Sequence, residues 1–182
     1  MEYTVNHLTW SPDGMRLATA GHSGRVAILD GESGELLQSL EGEGRQEPVR
    51  ALAWSPAGAW LAVADGRSRL HLFETESWTK LHLESTRAGY HDHLVWSSDG
   101  REVALGREEW VKVWTVPSGR STSLGTRQIY GDDLCVFTWS PDGKRIFSYT
   151  LYGEEAQIWH IESGDFVPIS VPLWEALWHA LF

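Results

Sequence analysis

Short apolar runs alternate with polar, glycine-containing stretches along this chain, and the alternation itself repeats. Each unit opens on an apolar run that ends in Trp, at Trp10, Trp54, Trp96 and Trp139, in steps of 44, 42 and 43 residues. A turn sequence follows each time: Ser11-Pro12-Asp13-Gly14, Ser55-Pro56-Ala57-Gly58, Ser97-Ser98-Asp99-Gly100 and Ser140-Pro141-Asp142-Gly143. Pro presets φ at the first corner of a tight turn, Asp tolerates the second, and Gly takes the left-handed position. Beyond the turn stands a second apolar run (Arg16–Ala20, Trp60–Ala64, Glu102–Gly106, Arg145–Tyr149), then a third (Val26–Leu29, Leu70–Phe73, Val111–Trp114, Ala156–Trp159). Four residues after each third run comes a serine, Ser33, Ser77, Ser118 or Ser163; three of them precede a Gly (Gly34, Gly119, Gly164), as a second hairpin requires. A more polar fourth run closes each unit, around Leu36–Leu40, Lys80–Leu83, Ser121–Leu124 and Phe166–Ser170. A period of this length holding four short strands predicts four antiparallel four-stranded sheets. The inner runs are apolar in both parities, as in Val49-Arg50-Ala51-Leu52-Ala53-Trp54, which predicts sheets covered on both faces by their neighbours.

With these residues in view, the repeat resembles the WD-repeat (Trp-Asp) β-propeller family, whose blades carry a Ser-Pro-Asp-Gly turn and a Trp-Asp pair ending the third strand. The resemblance implies an all-β half-propeller of four antiparallel four-stranded blades, about 4–41, 48–85, 90–126 and 133–171, followed by a tail over 172–182. The Trp-Asp pair is degenerate here, as Leu29-Asp30, Phe73-Glu74, Trp114-Thr115 and Trp159-His160. The Gly-His pair that opens a standard repeat is missing, since Gly21-His22 follows the second strand instead. The Asp that normally precedes the third strand is also out of place. The implied consequence is that the family's hydrogen-bonded Asp-His-Ser-Trp network is absent and that apolar packing holds the blades together.

Composition narrows the function. At 182 residues the chain can bury a sizeable core, and its 18 Gly and 11 Trp suit many turns between strands stacked face to face. No apolar run is long enough to span a membrane as a helix. Met1–Val5 lacks the basic start and apolar stretch of a secretory signal. The single Cys135 falls in an inner strand, excludes an intramolecular disulfide and points to a reducing compartment, so a cytoplasmic location is expected. A net charge of −10 argues against binding a phosphate backbone, which needs clustered Lys and Arg.

Candidate chemistry is thin. His91-Asp92-His93 places two imidazoles on one face of a strand, and His71 and His82 lie on adjacent strands, but no third ligand stands at a diagnostic spacing. His7 shares the repeat position of His93, which marks a packing habit. The acid pairs Glu108-Glu109, Asp132-Asp133 and Glu154-Glu155 fall in loops of different blades and read as solvated. No nucleophile elbow, phosphate loop or Cys-x-x-Cys is present. The expectation is therefore no catalytic residue, no cofactor and no metal site. The leading function is a non-catalytic protein–protein interaction scaffold; the alternative is an enzyme or metal-binding propeller with a site at the central channel.

The tail carries the one concentrated apolar surface. Leu173, Leu177 and Leu181 recur every fourth residue, as do Trp174, Trp178 and Phe182, and both stripes share one face of a helix started at Pro172. Phe182 also stands 43 residues after Trp139, which suits the inner strand of a truncated fifth blade. Either way these six residues form an expected packing or association surface. Four blades leave two end faces bare, so the chain is expected to associate with itself. A homodimer whose end blades meet twice would close a ring of eight blades; an open half-ring is its competitor.

Overall fold

A computed structural model of the protein describes residues 4–41, 47–67, 69–82, 93–107, 110–125, 135–150 and 156–169. They form sixteen strands in four sheets, each a meander in chain order. Blade 1 comprises β1 (Val5–Trp10), β2 (Arg16–Gly21), β3 (Arg25–Asp30) and β4 (Leu36–Glu41). Blade 2 comprises β5 (Val49–Trp54), β6 (Trp60–Asp65), β7 (Leu70–Glu74) and β8 (Lys80–His82). Blade 3 comprises β9 (His93–Trp96), β10 (Glu102–Arg107), β11 (Trp110–Thr115) and β12 (Ser121–Gly125). Blade 4 comprises β13 (Cys135–Trp139), β14 (Arg145–Thr150), β15 (Ala156–His160) and β16 (Phe166–Ile169). The chain is all-β, as its hydrophobic pattern requires, with no helix among the described residues. The tail and its six apolar residues lie outside them.

The turn after each inner Trp does more than reverse the chain. In blade 1 the buried Ser11 hydroxyl donates to Asp13 Oδ1 at 2.6 Å and accepts from the Arg16 amide at 2.9 Å, while Asp13 Oδ1 also accepts from the Met15 amide at 2.9 Å. Blades 3 and 4 repeat this through Ser97–Asp99 at 2.7 Å and Ser140–Asp142 at 2.5 Å. Gly143, like its counterparts, has a positive φ, 68°, where a side chain would be strained. The carboxylates pay no burial cost of note and gain two donors, so their pKa values fall. The Ser140 hydroxyl first, then the Lys144 amide, bring Asp142 down to about 2.

The core is divided among three joints between consecutive blades. Each blade has an outgoing face toward the next and an incoming face toward the one before. Between blades 1 and 2, Ala18, Ala20, Val26 and Ile28 meet Trp54 and Leu61. Between blades 2 and 3, Ala62, Ala64 and Leu72 meet Val103, Leu105 and Trp114. Between blades 3 and 4, Ala104, Val111 and Val113 meet Phe137, Ile146 and Trp159. The outgoing face is thus small on its second strand and the incoming face bulky, so each joint interlocks like a ridge in a groove.

Candidate docking surface

Each inner-strand Trp reaches across a joint. Trp54 Nε1 donates to Thr9 O at 3.2 Å, Trp96 Nε1 to Ala53 O at 3.0 Å, and Trp139 Nε1 to Val95 O at 3.3 Å. In every case the acceptor is the residue before the preceding blade's Trp. A buried indole N–H that found no acceptor would be costly, so this bond fixes the spacing of the blades as well as their stacking. It explains why Trp recurs in the chain, and it is a long-range role that the local strand pattern does not reveal.

Trp10 has the same position in blade 1, and no described blade stands before it. It is 50% exposed, against 8% for Trp54. Leu8, at 66%, and Met15, at 62%, are exposed beside it. The register sets Trp10 opposite Leu17, Leu8 opposite Thr19, and Leu17 opposite Leu29, so these side chains share one uncharged incoming face. The Trp10 ring lies over the backbone of Gly31: a Cβ there would stand 2.9 Å from Cζ3. Among the described residues the large exposed apolar side chains belong to blade 1 or blade 4; the interior blades have none. Of these, Leu8 and Trp10 stand on the incoming face of blade 1.

The residues singled out for chemistry do not converge. His71 Nε2 lies 3.0 Å from Asp65 Oδ2, which also accepts from Arg69 Nε at 2.7 Å. Burial pushes the Asp65 carboxyl up, but hydrogen bonds from His71, Arg69 and the Arg67 amide outweigh it and hold the group well below the carboxylate range. His93 stacks edge-on against Phe137, ring centroids 4.8 Å apart, and its burial lowers its pKa. The pKa of His7 is lowered by burial first, then by Arg50 and His22. His71 and His82 are register partners, as their strands imply. His91, Asp92 and the three acid pairs fall outside the described residues. No group of three or more His, Cys, Asp or Glu among the described residues could hold a metal. A polar groove between the turns of blades 1 and 2 contains Arg16, whose guanidinium donates to Thr75 O at 3.1 Å and lies 5.9 Å from the Trp78 ring.

Separated pieces of the expected-absent polar network are in fact present. Trp159 Nε1 donates to Ser148 Oγ at 3.0 Å inside blade 4, and Asp65 meets His71 inside blade 2. Asp65 ends β6, and the tight turn after it brings the carboxylate back over β7. Trp78 is another residue that the sequence reading passed over. It has a φ of 54° where the other blades have Gly, and it packs edge-on against Trp54 at 6.3 Å. The missing Gly after Ser77 was the available signal.

Two family models match the chain: the anaphase-promoting complex subunit 4 WD40 domain over residues 1–46, and the WD domain, G-beta repeat, over residues 34–73. These matches join four meander blades linked by the same Trp bond. Over residues 1–73 the chain carries WD repeats. No curated protein matches it in sequence. WD-repeat domains are in general non-catalytic modules that bind other proteins. No helix among the described residues of this WD-repeat chain is long and apolar enough to cross a membrane.

Proposed function

We propose that this chain is a non-catalytic scaffold that docks another protein on the incoming face of blade 1. The observation that carries the reading is Trp10: it has the strand position of Trp54, Trp96 and Trp139, is half exposed, and has no described blade before it to offer the carbonyl that the other three indoles bond. Leu8, Trp10 and Leu17 form a preorganised apolar surface, which lowers the ordering cost of binding. The alternative of a propeller enzyme would need polar groups converging from several blades, whereas His71 is tied to Asp65 within blade 2 and His93 packs on Phe137.

Self-association is the form of this reading in which the partner is a second copy. A homodimer closed into eight blades would place blade 4 of one copy against blade 1 of the other. The polar part of that joint is available, since Thr138 O is the next acceptor in register; the apolar part is not, because Phe147 and Tyr149 stand where the other joints have Ala or Gly. The tail residues Leu173, Trp174, Leu177, Trp178, Leu181 and Phe182 are proposed as a further packing or association surface, which their apolar character supports. The lone cysteine supports a reducing, cytoplasmic setting.

The test is a photoreactive amino acid in place of Met15, activated in cells that express the chain. Adducts with another polypeptide that disappear in the Leu8→Asp variant are expected. Adducts that persist unchanged in Leu8→Asp, or none at all, would overturn the docking reading.

A further inference from the structure

The two ends of the blade stack are not complementary, and the mismatch specifies the occupant of blade 1. We infer that the incoming face of blade 1 takes the outgoing face of a partner β-blade that is not blade 4 of a second copy, one with Ala or Gly at two second-strand positions where blade 4 has Phe147 and Tyr149. The inference deepens the docking reading and rests on it.

The registers make the comparison residue by residue. The partner of the residue before each inner Trp is Ala18 in blade 1, Ala62 in blade 2, Ala104 in blade 3 and Phe147 in blade 4. Two residues further along the same strands stand Ala20, Ala64, Gly106 and Tyr149. The first three blades are followed by another blade, and their small residues are almost wholly buried under it. Gly106 shows how little room such a joint leaves: a Cβ there would stand 2.5 Å from Cε1 of Phe137 on the next blade. The groove is cut to receive a bulky side chain.

What enters the groove is nearly constant in size. Leu52, Leu94 and Phe137 hold one incoming position, and Trp54, Trp96 and Trp139 the other. Blade 1 offers Leu8 and Trp10 at these positions, as large as the rest. Nothing in blade 1 is trimmed to accommodate aromatic rings opposite. Setting it on blade 4 would press Leu8 against Tyr149 and Trp10 against Phe147, two overpacked contacts in a space that rejects a methyl group at Gly106. Phe147 and Tyr149 are themselves half-buried on their own blade, so they act as a stop on further stacking. Like-with-like ends of this kind prevent head-to-tail polymerisation, a hazard of any stack with two open joints.

Blade 1 has no such stop. Its face keeps every element of the three internal joints: the ridge of Leu8 and Trp10, an indole N–H that needs a backbone carbonyl, and an uncharged surround of Leu17, Thr19 and Leu29. An occupant that satisfies all three has an extended edge-proximal carbonyl beside paired small residues, which is the outgoing face of a blade.

Sedimentation equilibrium of the purified full chain tests the size rule without any partner present. The parent should stay at the mass of one chain, 20.5 kDa, across a wide concentration range. The Phe147→Ala/Tyr149→Ala variant, which gives blade 4 the small residues of the other joints, should rise toward twice that mass, and adding Leu8→Asp should restore the single mass. A cooperative melt confirms folding of each variant. If the double variant does not fold, Tyr149→Ala alone carries the test and should show a smaller gain that Leu8→Asp also removes. A folded variant with no gain, a gain untouched by Leu8→Asp, or a parent that already associates through Leu8 would overturn the inference. Absence of the photoadducts from the parent, or their persistence in Leu8→Asp, would instead count against docking itself, so the two failures are distinguishable.

Discussion

Trp54 and Trp10 occupy the same place in consecutive blades, and the chief difference between them is that Trp54 has a described blade in front of it. Trp54 is buried, bonded to Thr9 O and braced by Trp78; Trp10 is half in water, its ring resting on Gly31. The residue type and the strand position are the same, and the turns that follow differ only in Asp13 against Ala57. The comparison teaches that the function of this Trp is a property of the joint and not of the blade. A blade is prepared to be joined whether or not a neighbour is present, and the unfilled copy is where a partner can act.

The sharpest way to break the comparison is to truncate both residues. Trp54→Ala removes a buried ring and an indole bond at the blade 1–2 joint and should cost about 3–5 kcal/mol. Trp10→Ala, at the open face, should cost under about 1 kcal/mol. Denaturant unfolding of the two variants against the parent measures both; equal losses would show that Trp10 is as fully packed as its counterpart.

A smaller effect probes the joint from the other side. Gly106→Ala adds a methyl group where Phe137 already lies, and should cost about 1–3 kcal/mol by overpacking. The matched change in blade 4, Tyr149→Ala, removes bulk that no described blade opposes and should cost less. Thermal melts compare the pair, and a neutral Gly106→Ala would mean that the joints are looser than their registers imply.

The inner turns offer the mildest contrast, since blade 2 has Ala57 where blade 4 has Asp142. The folded-state pKa of Asp142 is depressed to about 2 from 3.8, so its stabilising effect is present above the unfolded value and is lost as pH falls through the folded one. Stability of the parent should therefore decline between about pH 4 and pH 2, and Asp142→Asn should flatten that decline. The converse change, Ala57→Asp, should steepen it. Acid titration of unfolding free energies reads both, and a parent and Asp142→Asn with superimposable profiles would contradict the turn network.

Much of the fold was legible because it is local and repeated. The third strands expected at Val26–Leu29 and Leu70–Phe73 fall inside β3 and β7, and the fourth strands begin where the polar runs begin, at Leu36, Lys80, Ser121 and Phe166. Ser11 and Asp13 were visible as turn formers, but their mutual hydrogen bond was not, because conformational preference alone accounted for each. The candidate site was read only in part. The repeat count pointed to the end blades, whereas the aromatic tail drew attention to residues 173–182, outside the described structure. The indole bonds of Trp54, Trp96 and Trp139 join residues about one repeat apart on different sheets, and no local periodicity reports such a pair. The contrast between Ala18, Ala62 and Ala104 and the bulky Phe147 was present in the sequence. It became readable only when pairing showed which of two alternating faces each residue occupies.

The central claim is that each inner Trp locks its blade to the one before and that Trp10 alone among these four waits for a partner. Hydrogen exchange of the indole N–H groups, followed by nitrogen-15 nuclear magnetic resonance with Trp10→Phe to assign the key signal, tests it directly. In the isolated chain the Trp54, Trp96 and Trp139 signals should exchange slowly and the Trp10 signal fast. A Trp10 indole as protected as the other three, with no partner present, would contradict the account.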